Sequence, residues 1–277
     1  MPEGDTIFRA ARTLGAVLTG RTVLRAESDL AALSPARARL VGRRIEGVEA
    51  LGKNLLMRFD DGRVLHTHMR MHGSWHVYRK GERWQRAPHR ARLVLEVEGF
   101  VVVCFDAPVV ELMSPSRAET NPALASLGPD ILAPNFDADE ARRRLRAREL
   151  GDSPIGDAVL DQRAVAGIGN VYKSEVLFVM RVDPFAPVSS FDDAMLDAII
   201  DAARRLMQHN VLPGQRMRTI RRGSAGEGGR GRFYVYGRSG KPCYVCSATI
   251  GMKRQGSAAR STYFCSRCQH VATHRPL

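Results

Sequence analysis

The two ends of the chain carry the residues with the clearest chemistry. The first three are Met1-Pro2-Glu3. If Met1 is removed, Pro2 becomes the terminus and its nitrogen a secondary amine. Such an amine attacks an electrophilic carbon and collapses to an iminium, a cationic electron sink. It also deprotonates more easily than a lysine, because an α-amino group titrates near ~8 and a lysine near ~10.4. Glu3 sits one residue away, close enough to give or take a proton at whatever Pro2 attacks. A plain structural reading stands beside this one, since a Glu in the first turn of a helix complements the macrodipole. At the other end, Cys243-x2-Cys246-x18-Cys265-x2-Cys268 sets four thiols in two CxxC pairs. That spacing predicts a two-hairpin ribbon around one tetrahedral Zn2+, structural because the protein fills all four positions. Disulfides are the rival, disfavoured in a chain that reads as cytoplasmic.

Other stretches could meet a polyanion. Gly167-Ile168-Gly169-Asn170 allows close backbone approach ahead of a helix N-terminus, where free N–H groups hold anions. It is also a plain helix–turn–helix hairpin with an Asn cap. Met69-Arg70-Met71-His72-Gly73 comes after a β run, and an unbranched Met with Arg and His before Gly suits a loop that wedges into a base stack. It suits an ordinary strand end too. Lys53, after Gly52, is by itself a solvated turn lysine. Arg260 precedes Ser261-Thr262-Tyr263-Phe264 on the zinc-held hairpin, where phosphate binding is the better reading for an arginine.

These residues need elements to hold them. The chain has 277 residues with 44% hydrophobic, enough for more than one core and too apolar for global disorder. Residues 4–19 carry Ile7, Ala11, Leu14 and Leu18 at helical spacing. Short strands are expected at 23–24, 45–51, 55–59, 64–65, 75–78, 92–97 and 100–105, a β-sandwich or barrel with Cys104 as a buried thiol. Past a boundary near 130–136, helices are expected at 137–148, 154–162, 170–180 and 192–209. Residues 210–232 read as a mobile glycine- and arginine-rich loop, and 233–236 as a strand. The division is 1–132, 133–232 and 233–277.

Charge is unevenly spread. The net is +13, and residues 216–277 hold 13 Lys/Arg against one acid, Glu227, so the last 62 residues carry +12 of it. A folded patch so concentrated attracts nucleic acid. No apolar run approaches the ~20 residues of a membrane span. The first twenty residues hold Glu3 and Asp5 and lack an apolar stretch, which speaks against a signal peptide.

Taken together, Met1-Pro2-Glu3-Gly4, Lys53, Gly167-Ile168-Gly169-Asn170-Val171-Tyr172 and the CxxC…CxxC ribbon with Arg260 resemble the formamidopyrimidine-DNA glycosylase/endonuclease VIII family over the full chain. The resemblance implies an α+β multidomain fold: an N-terminal β-sandwich with an N-terminal helix, a helix–two-turn–helix domain and a C-terminal zinc ribbon, with DNA in the cleft between. It implies base flipping, attack of Pro2 on C1′ with Glu3 as acid/base, then β,δ-elimination. Lys53 would serve proton transfers or phosphate contacts. Asn170 and Arg260 would grip phosphates, Arg260 also assisting δ-elimination. Arg70, Met71 and His72 occupy the void-filling loop. Gly4, and Ala107-Pro108-Val109-Val110-Glu111 where the other branch has an Arg-Phe pair, point to the endonuclease VIII branch and oxidised pyrimidines. Asp5-Thr6 replaces the usual Pro-Glu, Ser126 stands where an Arg lies near the DNA, and Arg70 and His72 replace Gln and Tyr.

The expectation is therefore a monomeric bifunctional DNA glycosylase/AP lyase of base excision repair. It would be cytoplasmic and nucleoid-associated, acting on damaged double-stranded DNA, with single-stranded DNA a second candidate. The alternatives are the same scaffold with oxidised-purine preference, or a non-catalytic DNA damage-binding paralogue.

Overall fold

The computed structural model describes residues 2–33, 38, 40–213, 220 and 232–269. They fall into two compact units, 1–126 and 127–277. The first begins with α1 (Gly4–Leu18), whose apolar stripe Ile7, Ala11, Leu14 and Leu18 is buried. Eight strands come after it: β1 (Arg25–Glu27), β2 (Ile45–Leu51), β3 (Asn54–Phe59), β4 (Val64–His68), β5 (Ser74–Arg79), β6 (Ala91–Val97), β7 (Phe100–Phe105) and β8 (Val109–Met113). They form two antiparallel sheets, ordered β1-β6-β7-β5 and β2-β3-β4-β8.

One core joins them. Leu55, Met57 and Leu65 from one sheet pack with Leu93, Leu95, Val102 and Cys104 from the other, and with the α1 stripe. This is a β-sandwich with a helix sealing its core. Cys104 is fully buried, and burial pushes its thiol well up. The outer face of the β6–β7 sheet is not left wet, because Tyr78, Val94, Val103 and Phe105 pack there with Trp84.

Among its described residues, the second unit carries α2 (Ala138–Leu145), α3 (Asn170–Val179), α4 (Asp193–His209) and the hairpin of β9 (Gly251–Gln255) with β10 (Arg260–Phe264). Asp192 caps α4 by accepting from the Met195 N–H at 2.8 Å. No helix among the described residues is long and apolar enough to cross a membrane.

Several local expectations are corrected. Strand β8 is an addition: Pro108 and Glu111 break the apolar alternation, yet it pairs with β4 from Val64↔Met113 to His68↔Val109. The first strand lies at 25–27 rather than 23–24. Only Ile155–Ala158 of 154–162 is helical. Phe233–Tyr236 is not a strand, because its N–H groups turn to a side chain instead of a partner strand. The loop at 210–232 lies largely outside the described residues.

Leu14 is fully buried between helix and sandwich. Leu14→Ala is expected to lower unfolding free energy by about 2–5 kcal/mol, read as a shifted urea midpoint at unchanged slope.

Candidate functional site

Glu3 is the N-cap of α1, and its backbone carbonyl accepts from Thr6 and Ile7 at 2.9 and 3.1 Å. This fixes the segment so that Pro2 stays partly exposed while the Glu3 side chain is fully buried. Asp5 is buried too, pairing with Arg9 at 3.2 Å and accepting from the Thr6 hydroxyl at 3.3 Å.

Lys53 stands in a two-residue hairpin turn, with Leu51 and Asn54 paired on either side. Gly52 takes φ +58°, which favours glycine at the first turn position. Lys53 is half-buried, and both it and Arg70 lie close enough to His68 to disfavour its protonation. Burial first, then these two cations, lowers the His68 pKa to about 4. Its Nδ1 accepts from the Arg70 N–H at 3.2 Å, as a neutral imidazole should. Sequence reasoning missed His68, since a lone histidine at a strand end carries no pattern.

The 69–73 loop is anchored at both ends and open in the middle. Met69 is buried in the core. Gly73 donates to the Met69 carbonyl at 2.9 Å, and a Cβ there would meet that oxygen at 2.6 Å and the Ala107 Cα at 3.0 Å. Only glycine allows this approach. Between the anchors Arg70, at φ 43°, Met71 and His72 are exposed, Met71 at 58%. Pro2, Met71 and His72 border one cavity. Ser126 is exposed at the C-cap of a short helix, Pro122–Ala125, and is not among that cavity's walls.

In the second unit Gly169, not Asn170, caps α3; Asn170 is the first helical residue. Glycine brings no capping side chain, so the first N–H groups of α3 have no side-chain acceptor from that position. The buried Asn170 Oδ1 has no hydrogen-bond partner among the described residues. Three consecutive buried polar residues of α3 then hold the ribbon segments. The Lys173 Nζ donates to Thr262 Oγ1 at 2.7 Å, and Thr262 donates to Gln255 Oε1 at 2.7 Å. Ser174 donates to the Asn170 carbonyl at 3.0 Å and lies 3.4 Å from the Tyr263 N–H. The Glu175 carboxylate accepts from the N–H groups of Tyr234, Val235 and Tyr236 at 2.7, 2.8 and 2.7 Å. Arg260 starts β10, exposed, two residues from Thr262 and on the same strand face. So α3 carries Asn170 and also sets the position of the Arg260 strand. Burial raises the Glu175 pKa to about 7 against the pull of its three N–H donors and Arg238.

The four cysteines complete the second unit. Their Sγ atoms all lie within 4.8 Å of one another, with Cys243–Cys268 at 3.9 Å and Cys246–Cys265 at 3.5 Å. Tetrahedral zinc with sulfur at ~2.3 Å needs sulfur–sulfur edges of about 3.8 Å. The donor set fits one zinc ion, which Cys243, Cys246, Cys265 and Cys268 would hold, with no position left for substrate. The expected second hairpin is reduced to the isolated bridge Pro242↔Thr249.

Fold and site define a zinc-ribbon protein of α+β class. Three family models match successive stretches: the formamidopyrimidine-DNA glycosylase N-terminal domain over residues 1–108, the formamidopyrimidine-DNA glycosylase H2TH domain over 127–221, and the zinc finger found in FPG and IleRS over 240–271. The probable endonuclease 8 2 of Streptomyces coelicolor is 39% identical over 282 residues, covering 100% of this chain and 96% of the relative. Endonuclease 8 of Escherichia coli is 30% identical, covering 98% and 100%. A Lactococcus lactis formamidopyrimidine-DNA glycosylase, solved with DNA, shares the fold at a TM-score of 0.80 and 24% identity, covering 97% of this chain and 100% of that one. The chain belongs to the formamidopyrimidine-DNA glycosylase/endonuclease VIII family.

Two measurements test this geometry. Chelation should release one zinc per chain, read by a colorimetric indicator, and raise amide exchange around Val235, Ile250 and Cys265, which pack together; release of no zinc would refute the site. For Glu175, a folded pKa of about 7 above the ordinary 4.5 means the folded state binds more protons in that window. Its contribution to stability therefore declines as pH rises from about 4.5 to about 7. The difference between wild-type and Glu175→Gln stability curves should show that decline, and a flat difference would contradict it.

Proposed function

We propose that this chain is a bifunctional DNA glycosylase and AP lyase of base excision repair that removes oxidised pyrimidines through a Schiff base on Pro2. The observation that carries the reading is Pro2 on the wall of an open cavity, with Glu3 buried next to it and the exposed Met71 on the same rim. A terminal amine so placed can reach a sugar carbon, while Met71 can enter the stack that an extruded nucleotide leaves.

In this mechanism Pro2 with Met1 removed attacks C1′, and the base departs with the electrons of its glycosidic bond. Glu3 protonates the ring oxygen, which opens the sugar and leaves the Pro2 iminium. The iminium acidifies the C2′ proton. Its removal expels the 3′ phosphate, and a second elimination expels the 5′ phosphate. Lys53, beside neutral His68, moves protons or meets phosphate. Arg70 and His72 flank the wedge. Asn170, at the start of α3, and Arg260 bind phosphates, and Ser126 sits near the DNA path. The three-domain division at 1–132, 133–232 and 233–277, a monomeric enzyme, and a place in the cytoplasm at the nucleoid belong to the same reading. The endonuclease 8 names of its relatives agree with the endonuclease VIII branch, and the resemblance to that branch is what supports pyrimidine lesions here.

Borohydride reduction during incubation with abasic-site duplex should give a stable protein–DNA adduct whose linked residue is Pro2 by peptide mass mapping. An acetylated terminus or Pro2→Gly should trap weakly or not at all. Normal incision by a chain with a blocked terminus would rule out the Schiff base.

A further inference from the structure

The cavity at Pro2 encloses about 350 Å³ and is walled by Pro2, Thr6, Met71, His72, Arg86 and Arg90. The two arginines come from the segment between β5 and β6 and belong to none of the motifs singled out by spacing. Both are held by one carboxylate. Arg86 Nη1 donates to Asp106 Oδ2 at 2.6 Å and to the His72 carbonyl at 3.1 Å. Arg90 Nε donates to Asp106 Oδ1 at 3.0 Å, and its Nη2 lies 2.7 Å from Oδ2. Asp106 itself sits at φ 53°, a left-handed backbone uncommon outside glycine.

Each guanidinium has five N–H donors. Asp106 and the His72 carbonyl engage at most two on each, so donors remain on both. Two cations against one carboxylate also leave a net positive charge at the cavity wall. Asp106, paired with both arginines, offsets part of the positive charge that would otherwise draw a phosphate. A neutral ring rich in carbonyl oxygens is a good occupant. Its oxygens can take the remaining donors without meeting a like charge. The volume lies at the small end of ligand sites, ~300–1,000 Å³, which suits one base rather than a whole nucleotide.

We propose that this cavity receives the base as it leaves the sugar, and that Arg86 and Arg90, oriented by Asp106, bind its carbonyl oxygens and stabilise the negative charge it acquires. The inference rests on the Pro2 chemistry of the proposed function. As the Pro2 nitrogen bonds to C1′, the C1′–N1 bond breaks and its electron pair stays with the pyrimidine. There it spreads from N1 onto the C2 carbonyl oxygen, where a guanidinium donor meets it. The released base then takes a proton at N1 from water. Fixed donors aimed at developing charge are worth ~10²–10³ in rate.

The test compares two single-turnover rates on the same protein: release of 5-hydroxyuracil from a duplex, and incision of the same duplex carrying a preformed abasic site. An abasic site has no base to hold. Arg90→Gln is the cleaner variant, because the Arg90 side chain is tied to Asp106, whereas Arg86 also holds the 69–73 loop. Arg90→Gln should lower the ratio of base release to abasic incision by ~100-fold, and Arg86→Gln/Arg90→Gln should lower it further. Equal loss of both rates would overturn the proposal and assign the arginines to the DNA backbone or the opposite strand. No loss in either would overturn it too. Failure of the Pro2 reading is a separate result: wild-type protein that forms no borohydride adduct with abasic DNA. Unchanged melting and zinc content show that the variants fold.

Discussion

A carboxylate with no exposed surface has to be bonded, and Glu175 is bonded three times. Its oxygens take the N–H groups of Tyr234, Val235 and Tyr236, which would otherwise be buried donors without acceptors. That one side chain replaces a strand partner for the segment leading into the ribbon. Lys173 and Ser174, its neighbours, reach Thr262 and Tyr263 of β10. Three successive helical positions point about 100° apart, so no single packed face explains their burial. They are buried because later segments of the chain, 234–236 and β10 among them, close around the helix on several sides. The zinc closes the ribbon on itself, and α3 sets where it stands within the second unit.

The first unit solves a different problem by a related device. On the proposed chemistry, Pro2 must be held still yet remain accessible. The sandwich achieves this by fixing the residues on either side. Glu3 is buried and its carbonyl begins α1, so Pro2 emerges from a rigid helix start. The 69–73 loop is pinned by Met69 in the core and by Gly73 against Ala107, and Arg86 ties the His72 carbonyl to Asp106. Exposed Met71 is therefore set on stiff supports. An apolar side chain so exposed gains little in the folded chain alone, which fits a surface shaped for something that docks against it.

Much of this is legible in the sequence, for reasons that differ by residue. The α1 stripe, most strands and the four-cysteine ribbon come from period and spacing, which are local. Lys53 and Gly52 are legible as a turn, and Met69–Gly73 as a loop, but neither pattern places Lys53 beside His68. Strand β8 is hidden because its partner, β4, lies far away in sequence. Phe233–Tyr236 looks like a strand by composition, and only a distant glutamate makes it something else. Arg86, Arg90 and Lys173 carry no local mark that assigns them a partner. A charged residue in an apolar helix, such as Lys173 or Glu175 within Val171–Met180, is the one hint the sequence offers.

The placement of charge explains why the cationic residues of the first unit divide into two kinds. Lys53 and Arg70 sit with a histidine whose pKa is held near about 4, so no third cation builds up there at neutral pH. His68 therefore adds polarity beside them without adding repulsion. Arg86 and Arg90 instead share Asp106, which offsets part of their charge and fixes their geometry. Undamped cations would draw a phosphate into the cavity and block it. Arginines already tied to a carboxylate keep their donors while losing much of that pull. On the proposed chemistry, that arrangement keeps the space beside Pro2 for a neutral ring rather than for a phosphate.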